Sequence, residues 1–193
     1  VCINVGVNEC CDKLEEITLD NSTRWKEWRN ELNKNYLEDF KPQKDRNLNN
    51  LSKIFEIVEK KFPTNSIITL DAGNNAAWPQ RFLSFGRTRR QIASTCGSMG
   101  YAIPAAVSSA LSNPKKAVLC CVGDGGFMMS SQEISTAVHY SAKIIILLIN
   151  NSSYATIRMH QERDYPGRKI ATDLKNPNFV KLCKACLLYT SPS

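Results

Sequence analysis

No apolar run in this sequence is long enough to cross a bilayer. The longest strongly apolar stretch, Ile144 to Ile149, falls far short of the roughly 20 residues that a spanning helix needs. No basic-then-apolar leader opens the chain, which begins Val1-Cys2-Ile3-Asn4 without an initiating Met. No secretory signal is readable, and the natural N-terminus is expected to lie upstream. A Gly-x-Gly-x-x-Gly is missing from Asp71 to Trp78, where a Rossmann-type nucleotide binder would carry it after its first strand. A metal or disulfide framework is missing as well. There are eight cysteines, but Cys10-Cys11 and Cys120-Cys121 are adjacent pairs, and the lone C-x-x-C, Cys183 and Cys186, faces no second one. Such spacing favours reduced thiols in an intracellular protein over a stapled scaffold, though no compartment is specified. Neither an internal repeat nor a low-complexity tract is present.

What charge there is does not point to nucleic acid. The net charge is +7, but it is dispersed, and the basic stretch from Arg24 to Lys61 is interleaved with acids. That mixture reads as a solvated helical face, with no motif of a nucleic-acid module. Hydrophobic residues at 42% and charged residues at 22% are ordinary for a globular chain. The last residues, Cys186 to Ser193, back-translate as TGT CTC TTA TAC ACA TCT CCG AGC, which resembles the end of a transposase-based sequencing adapter. They are therefore left out of the fold reading, and the domain is expected to be incomplete at its C-terminus, near Ala185.

Patterning divides the rest. Val1 to Ile17 reads as a short strand, Cys2 to Val7, followed by a helical turn or two from Cys10 to Ile17. Residues 18–47 are linker-like, with Trp25, Trp28, Leu32 and Tyr36 at the spacing of an amphipathic helix that packs, broken at Pro42 to Asp45. Leu48, Leu51, Ile54, Phe55, Val58 and Phe62 mark a helix ending before Pro63. Strands and helices then alternate: strand Ser66 to Leu70, helix Gly97 to Leu111, strand Ala117 to Val122, helix Ser130 to Tyr140, strand Lys143 to Ile149. Ser130 and Glu133 fit a capping box on the second of these helices. Asn176-Pro177 opens a last helix with Phe179, Leu182 and Cys183 inward. Continuous apolar strands alternating with helices indicate an α/β fold, a parallel sheet with helices on both faces.

Three of these strands end in short polar loops, Asp71 to Asn75, Gly123 to Gly126 and Asn150 to Ser153. In open α/β sheets ligands bind at the carboxyl ends of the strands, so all three loops can meet around one ligand. In the second loop, Gly123 and Gly125 flank Asp124, and the backbone N–H groups of Gly125 and Gly126 can cradle phosphate oxygens. A carboxylate beside phosphates needs a cation between them. Mg²⁺ suits, being hard and content with one or two protein oxygens plus phosphate and water. The intervening helix and strand form one crossover that returns Asn151 to the side of Asp124.

Gly-Asp-Gly, about two dozen residues, then Asn-Asn, each after a buried strand, resembles the signature of thiamine diphosphate-dependent enzymes. Gly97-Ser98-Met99-Gly100-Tyr101-Ala102-Ile103-Pro104 resembles the segment beneath the cofactor's aminopyrimidine in their acetolactate synthase-like branch. Asp71-Ala72-Gly73-Asn74-Asn75 resembles the loop over the diphosphate. The likeness covers about Leu48 to Ala185, the diphosphate- and Mg²⁺-binding domain, while residues 1–17 resemble the end of the family's central domain.

The resemblance implies thiamine diphosphate and Mg²⁺ as cofactors. It implies Asp124, Asn151 and the Ser153 carbonyl as metal ligands. Gly73, Asn74, Asn75, Gly97, Ser98, Gly125 and Gly126, with Asn151 and Ser153, are implied around the cofactor. Met99 would be the residue that wedges between its two rings and sets its shape, and the Gly97 carbonyl would accept from its 4′-amino group. The implied reaction is loss of CO₂ from a small 2-oxo acid, the resulting enamine being protonated or added to a second carbonyl. The family's activating Glu lies in an N-terminal domain, usually of a partner subunit, so a homodimer or homotetramer is implied and this segment alone is expected to be inactive. Neither nucleic acid nor membrane is an expected partner. The alternative is a non-catalytic cofactor-binding relative or a decayed gene fragment.

Two departures stand out. His160 occupies the position, nine residues after Asn151, where acetolactate synthases carry a Trp that shapes the second-substrate pocket. Ser152 and Ala155 stand where relatives often have Gly, and a positive φ at either would strain the loop. Trp78 is read as packing and His139 as structural.

Overall fold

The computed structural model describes residues 4–17, 25–41, 51–186 and 188, and the chain forms two compact units, Val1–Lys41 and Pro42–Ser193. In the first unit, α1 spans Val7–Glu15 and α2 spans Lys26–Asp39. The expected strand from Cys2 does not reach Val7, which is the first residue of α1, and residues 4–6 carry no regular structure. A short apolar run gains little as a strand without a neighbour to pair with, whereas Cys10 N–H closes the first helical turn onto Gly6 O at 2.9 Å. The amphipathic helix forms, but its expected packing is corrected: Trp25, Trp28, Leu32 and Tyr36 are all exposed, and α2 has no buried residue. The break at Pro42 to Asp45 and the start of the next helix at Leu48 lie outside the described residues.

The second unit is built on four parallel strands in the order β2-β1-β3-β4. They are β1 (Ser66–Leu70), β2 (Arg90–Ala93), β3 (Ala117–Gly123) and β4 (Ile144–Ile149). Every residue of β1 is buried, as a strand covered on both faces requires. One cluster, including Ile67, Ala106, Val118, Phe127 and Ile134, fills one side of the sheet, and another, including Phe55, Ile68, Leu70, Phe82 and Leu119, fills the other. Alternation along β1 and β3 sends successive side chains to opposite clusters. α5 (Ala102–Ser112) lies on the sheet through Ala102, Ile103, Ala106 and Ala110. Its small residues allow close approach, and Thr69 Oγ1 donates to Ala102 O at 2.9 Å.

Several boundaries differ from the sequence reading. The helix from Gly97 starts only at Ala102, because Gly97 and Gly100 have φ of +67° and +80° and turn the chain before it. A separate helix, α6 (Asp124–Ser130), precedes the one expected from Ser130 to Tyr140, which forms only as α7 (Glu133–His139). Ser130 ends the first, so it makes no capping box with Glu133, and α7 has no side-chain cap. Four elements have no counterpart in the sequence reading: α4 (Asn74–Phe82), β2, α6, and α8 (Ala155–Asp164). α3 (Leu51–Lys61) and α9 (Phe179–Ala185) stand where expected. In α9, Asn178 caps Lys181 N–H at 2.9 Å, Cys183 is buried, and Phe179 meets Phe127 edge-on at 5.2 Å. No disulfide joins the described cysteines.

Candidate functional site

Register brings the loops together. Leu70 pairs with Cys121, which pairs with Leu147, and Gly123 pairs with Ile149. The carboxyl ends of β1, β3 and β4 therefore emerge side by side and open on one cavity of about 610 Å³. Gly73, Asn74, Asn75, Gly97, Met99, Asp124, Gly125, Gly126, Asn151 and Ser153 all line it. Ser98 does not: it is exposed, its N–H bonded to Ser94 Oγ at 3.1 Å and its Oγ donating to Met99 O. His160 lies on the exposed side of α8, beyond the cavity residues Thr156 and Ile157. His139 is also exposed and contacts Tyr140. Trp78 packs on Phe82 with ring centroids 5.9 Å apart and also faces the cavity.

Asp124 is the first residue of α6 and is only 3% exposed. Its Oδ2 accepts from Asn176 Nδ2 at 2.6 Å, and the same amide donates to Asn150 Oδ1 at 2.9 Å. Asn176 thus ties the end of β3 to the end of β4 and orients the carboxylate. Asn151 Oδ1 accepts from Ser153 N–H at 3.2 Å, which closes the loop. An amide oxygen has two lone pairs, so one remains for a cation. The loop is braced from below, where Tyr154 N–H reaches Thr172 O at 2.8 Å and Leu174 N–H reaches Ser152 O at 2.9 Å.

Ser152 has φ +52°, while Ala155 is not among the positive-φ residues, so the anticipated strain falls on Ser152 alone. A left-handed non-glycine residue costs about 1–2 kcal/mol, part of which glycine's greater unfolded freedom cancels. Ser152→Gly is expected to raise stability by roughly 0.5–1 kcal/mol, read as a higher midpoint in urea.

The cavity suits an anion. The amino ends of α4, α6 and α8 all border it, and none is capped by the side chain of its own N-cap residue. Asn74 N–H is bonded to Thr156 Oγ1 at 2.9 Å, which locks α4 to α8. Uncapped first-turn N–H groups and the aligned helix dipoles favour negative charge there. Asn75 Nδ2 is buried on the cavity wall with no partner, a donor left open for an oxygen of a ligand. The glycines also answer to protein neighbours. A Cβ on Gly125 would lie 2.5 Å from the Tyr154 ring, and one on Gly126 would overlap Asp71 Oδ2. Among the described residues no three His, Cys, Asp or Glu side chains gather into a metal site. A cation here would meet one carboxylate and neutral oxygens, a donor set that would suit a hard divalent ion such as Mg²⁺.

Sequence reading missed Asn176, seen only as a helix start, and also Tyr154 and Thr156. Asparagine before proline carries no mark of which loop it will reach.

A parallel sheet whose strand ends converge on an anion-ready cavity with one buried carboxylate defines an α/β domain for a phosphate-bearing ligand. The chain belongs to the thiamine pyrophosphate enzyme family: residues 71–189 match the family's C-terminal TPP binding domain. It is 33% identical over 162 residues to an acetolactate synthase large subunit of Buchnera aphidicola subsp. Schlechtendalia chinensis, covering 82% of this chain and 27% of that protein. It is 37% identical over 123 residues to the one of Lactococcus lactis subsp. lactis, covering 63% and 21%. The chain thus spans about a quarter of the length of these relatives. Among solved structures, a thiamine diphosphate-dependent 4-hydroxybenzoylformate decarboxylase of Rhodococcus jostii RHA1 shares the fold, with a TM-score of 0.66 at 20% identity over 70% of this chain and 26% of that one.

Proposed function

We propose that this chain is the thiamine diphosphate- and Mg²⁺-binding part of a longer enzyme that decarboxylates a small 2-oxo acid and then protonates the product or joins it to a second carbonyl. The observation that carries the reading is the meeting of Asp124 and Asn151 in one cavity, across the crossover from β3 to β4. Asp124 and Asn151 side chains and the Ser153 carbonyl would hold Mg²⁺. The amides of Gly125 and Gly126 and the turn at Gly73, Asn74 and Asn75 would hold the diphosphate. Met99 and the Gly97 carbonyl would orient the rings. Thiamine diphosphate, when bound, supplies the electron sink that makes CO₂ loss accessible. The protein's share is geometry: fixed donors, a fixed carboxylate and an apolar wall of Met99, Trp78 and Ile157.

Assembly as a homodimer or homotetramer is part of the same proposal. Met128, Met129 and Ile157 are exposed, and such apolar surface beside a site fits cover by further protein.

Asn176 holds the Asp124 carboxylate without lining the cavity. Outer partners of metal ligands are worth 10–100-fold in metal affinity, so Asn176→Ala is expected to weaken Mg²⁺ about tenfold in the intact enzyme, as measured by Mg²⁺ titration of activity. The reading itself is tested by recovering the longer polypeptide, expressing it, and assaying CO₂ release from a panel of 2-oxo acids. Release that requires both thiamine diphosphate and Mg²⁺ supports it. Cofactor-independent release, or none from any acid of the panel, sinks it.

A further inference from the structure

Asp71 belongs to the loop likened to the one over the diphosphate, yet it does not line the cavity. It is 3% exposed and faces inward. Its Oδ1 accepts from Ala72 N–H at 2.8 Å and Tyr101 N–H at 3.3 Å, and its Oδ2 from Gly100 N–H at 3.1 Å. These partners include the two residues that lead into α5, immediately after Gly97 and Met99. On its other side Asp71 packs against Gly126, where a Cβ would overlap Oδ2, and the same turn touches α6 where Gly100 has room for a Cβ only 3.0 Å from Met129 Cβ. One buried carboxylate is therefore wedged between the turn that carries Met99 and the helix that carries Asp124.

We propose that Asp71 is a positioning residue: its carboxylate staples the Gly97–Tyr101 turn and, through its contact with Gly126, sets the spacing between Met99 and the amino end of α6. Gly126 is a glycine because Asp71 occupies the space of its side chain. The φ of +80° at Gly100 belongs to the same device, since it turns the chain so that two successive N–H groups, those of Gly100 and Tyr101, reach one carboxylate. Burial pushes the Asp71 carboxyl above the ordinary carboxylate value, with the three N–H bonds pulling it partly back. That balance is what a buried acceptor of several backbone donors shows. The consequence for the cofactor rests on the function proposed above, whereas the staple does not.

The test uses Asp71→Asn in the intact protein. The amide keeps the shape, but its NH₂ must face one of the N–H donors. A hydrogen bond to a charged group is worth about 1.5–3 kcal/mol, so amide hydrogen exchange at Gly100 or Tyr101, without cofactor, is expected to accelerate about tenfold or more. Exchange in β3 and β4 stays unchanged, and thiamine diphosphate affinity in saturating Mg²⁺ falls at least about tenfold. Wild-type exchange at Gly100 and Tyr101 overturns the staple. Accelerated exchange with undiminished affinity overturns the positioning role. If the unsubstituted protein binds no thiamine diphosphate but the exchange still accelerates, the staple stands and the cofactor reading fails. Should Asp71→Asn not fold, Gly126→Ala displaces the carboxylate from the opposite side. The same acceleration is expected there, and unchanged exchange overturns the proposal.

Discussion

Replacing Asp124 by Ala in the intact enzyme is expected to weaken Mg²⁺-dependent thiamine diphosphate binding by more than about 100-fold. Partners one shell removed from a metal cost 10–100-fold when lost, and Asp124 is the only carboxylate among the described residues that line the cavity. Without it, a cation beside a diphosphate would rely on the neutral oxygens of Asn151 and Ser153. The side chain is buried and its carboxylate is bonded to the Asn176 amide, so Ala leaves a small polar gap and no stranded charge. The fold is expected to survive, with a near-native circular dichroism spectrum. Asp124→Asn separates charge from shape: it keeps the volume and is expected to bind nearly as poorly. Titration calorimetry of both variants checks this, and tight binding by Asp124→Ala would remove Asp124 from the metal site.

The largest expected effect on stability lies far from the cavity. Arg89, just before β2, is 3% exposed, and its guanidinium meets Glu59 on α3. It also donates to Ser84 O and Phe62 O, each at 3.3 Å. Removing one partner of a buried pair leaves an uncompensated charge and costs about 3–5 kcal/mol. Glu59 keeps a quarter of its side-chain surface exposed, so Glu59→Ala is expected near the lower limit, about 3 kcal/mol, or a fall in Tm of about 10 °C. Partial burial pushes the Glu59 carboxyl up, but the bonds from Ser84 and Arg89 outweigh it and hold the group below its ordinary value of 4.5. A carboxylate lowered in the fold contributes stability above that ordinary value and loses it as pH falls through the lowered one. The advantage of the unsubstituted protein over Glu59→Gln is therefore expected to be full at pH 7 and to shrink on acidification below about pH 4.5. Paired urea melts across that range measure it.

The strands that carry the site were legible, and the helices that close it were less so. Ile144 to Ile149 and Ala117 to Val122 are continuous apolar runs bounded by polar loops, and such runs leave few other choices in a parallel sheet. β2 was missed because Arg90 and Gln91 are exposed and only Ile92 and Ala93 turn partly inward, so no period shows. α8 was missed because Ala155 to Asp164 has no apolar stripe and no buried residue. It is held instead by Arg158 N–H on Tyr154 O and by Gln161 bonding Ile170 at both N–H and O. Ser130 and Glu133 show the reverse error, a capping box in sequence that tertiary structure overrode by starting a helix earlier, at Asp124. Within the site, Asp124 and Asn151 could be read because each closes an apolar strand, and the crossover between them has a defined length. Asn176 and the inward turn of Asp71 could not, since both depend on contacts across more than 25 residues that no local pattern records.

The most direct test of the account is equilibrium binding of thiamine diphosphate to the intact protein, measured by calorimetry once with Mg²⁺ and once with EDTA. Saturable binding is expected with Mg²⁺, and binding at least about 100-fold weaker is expected in EDTA. Equal affinity in both conditions, or no binding in either, would contradict it.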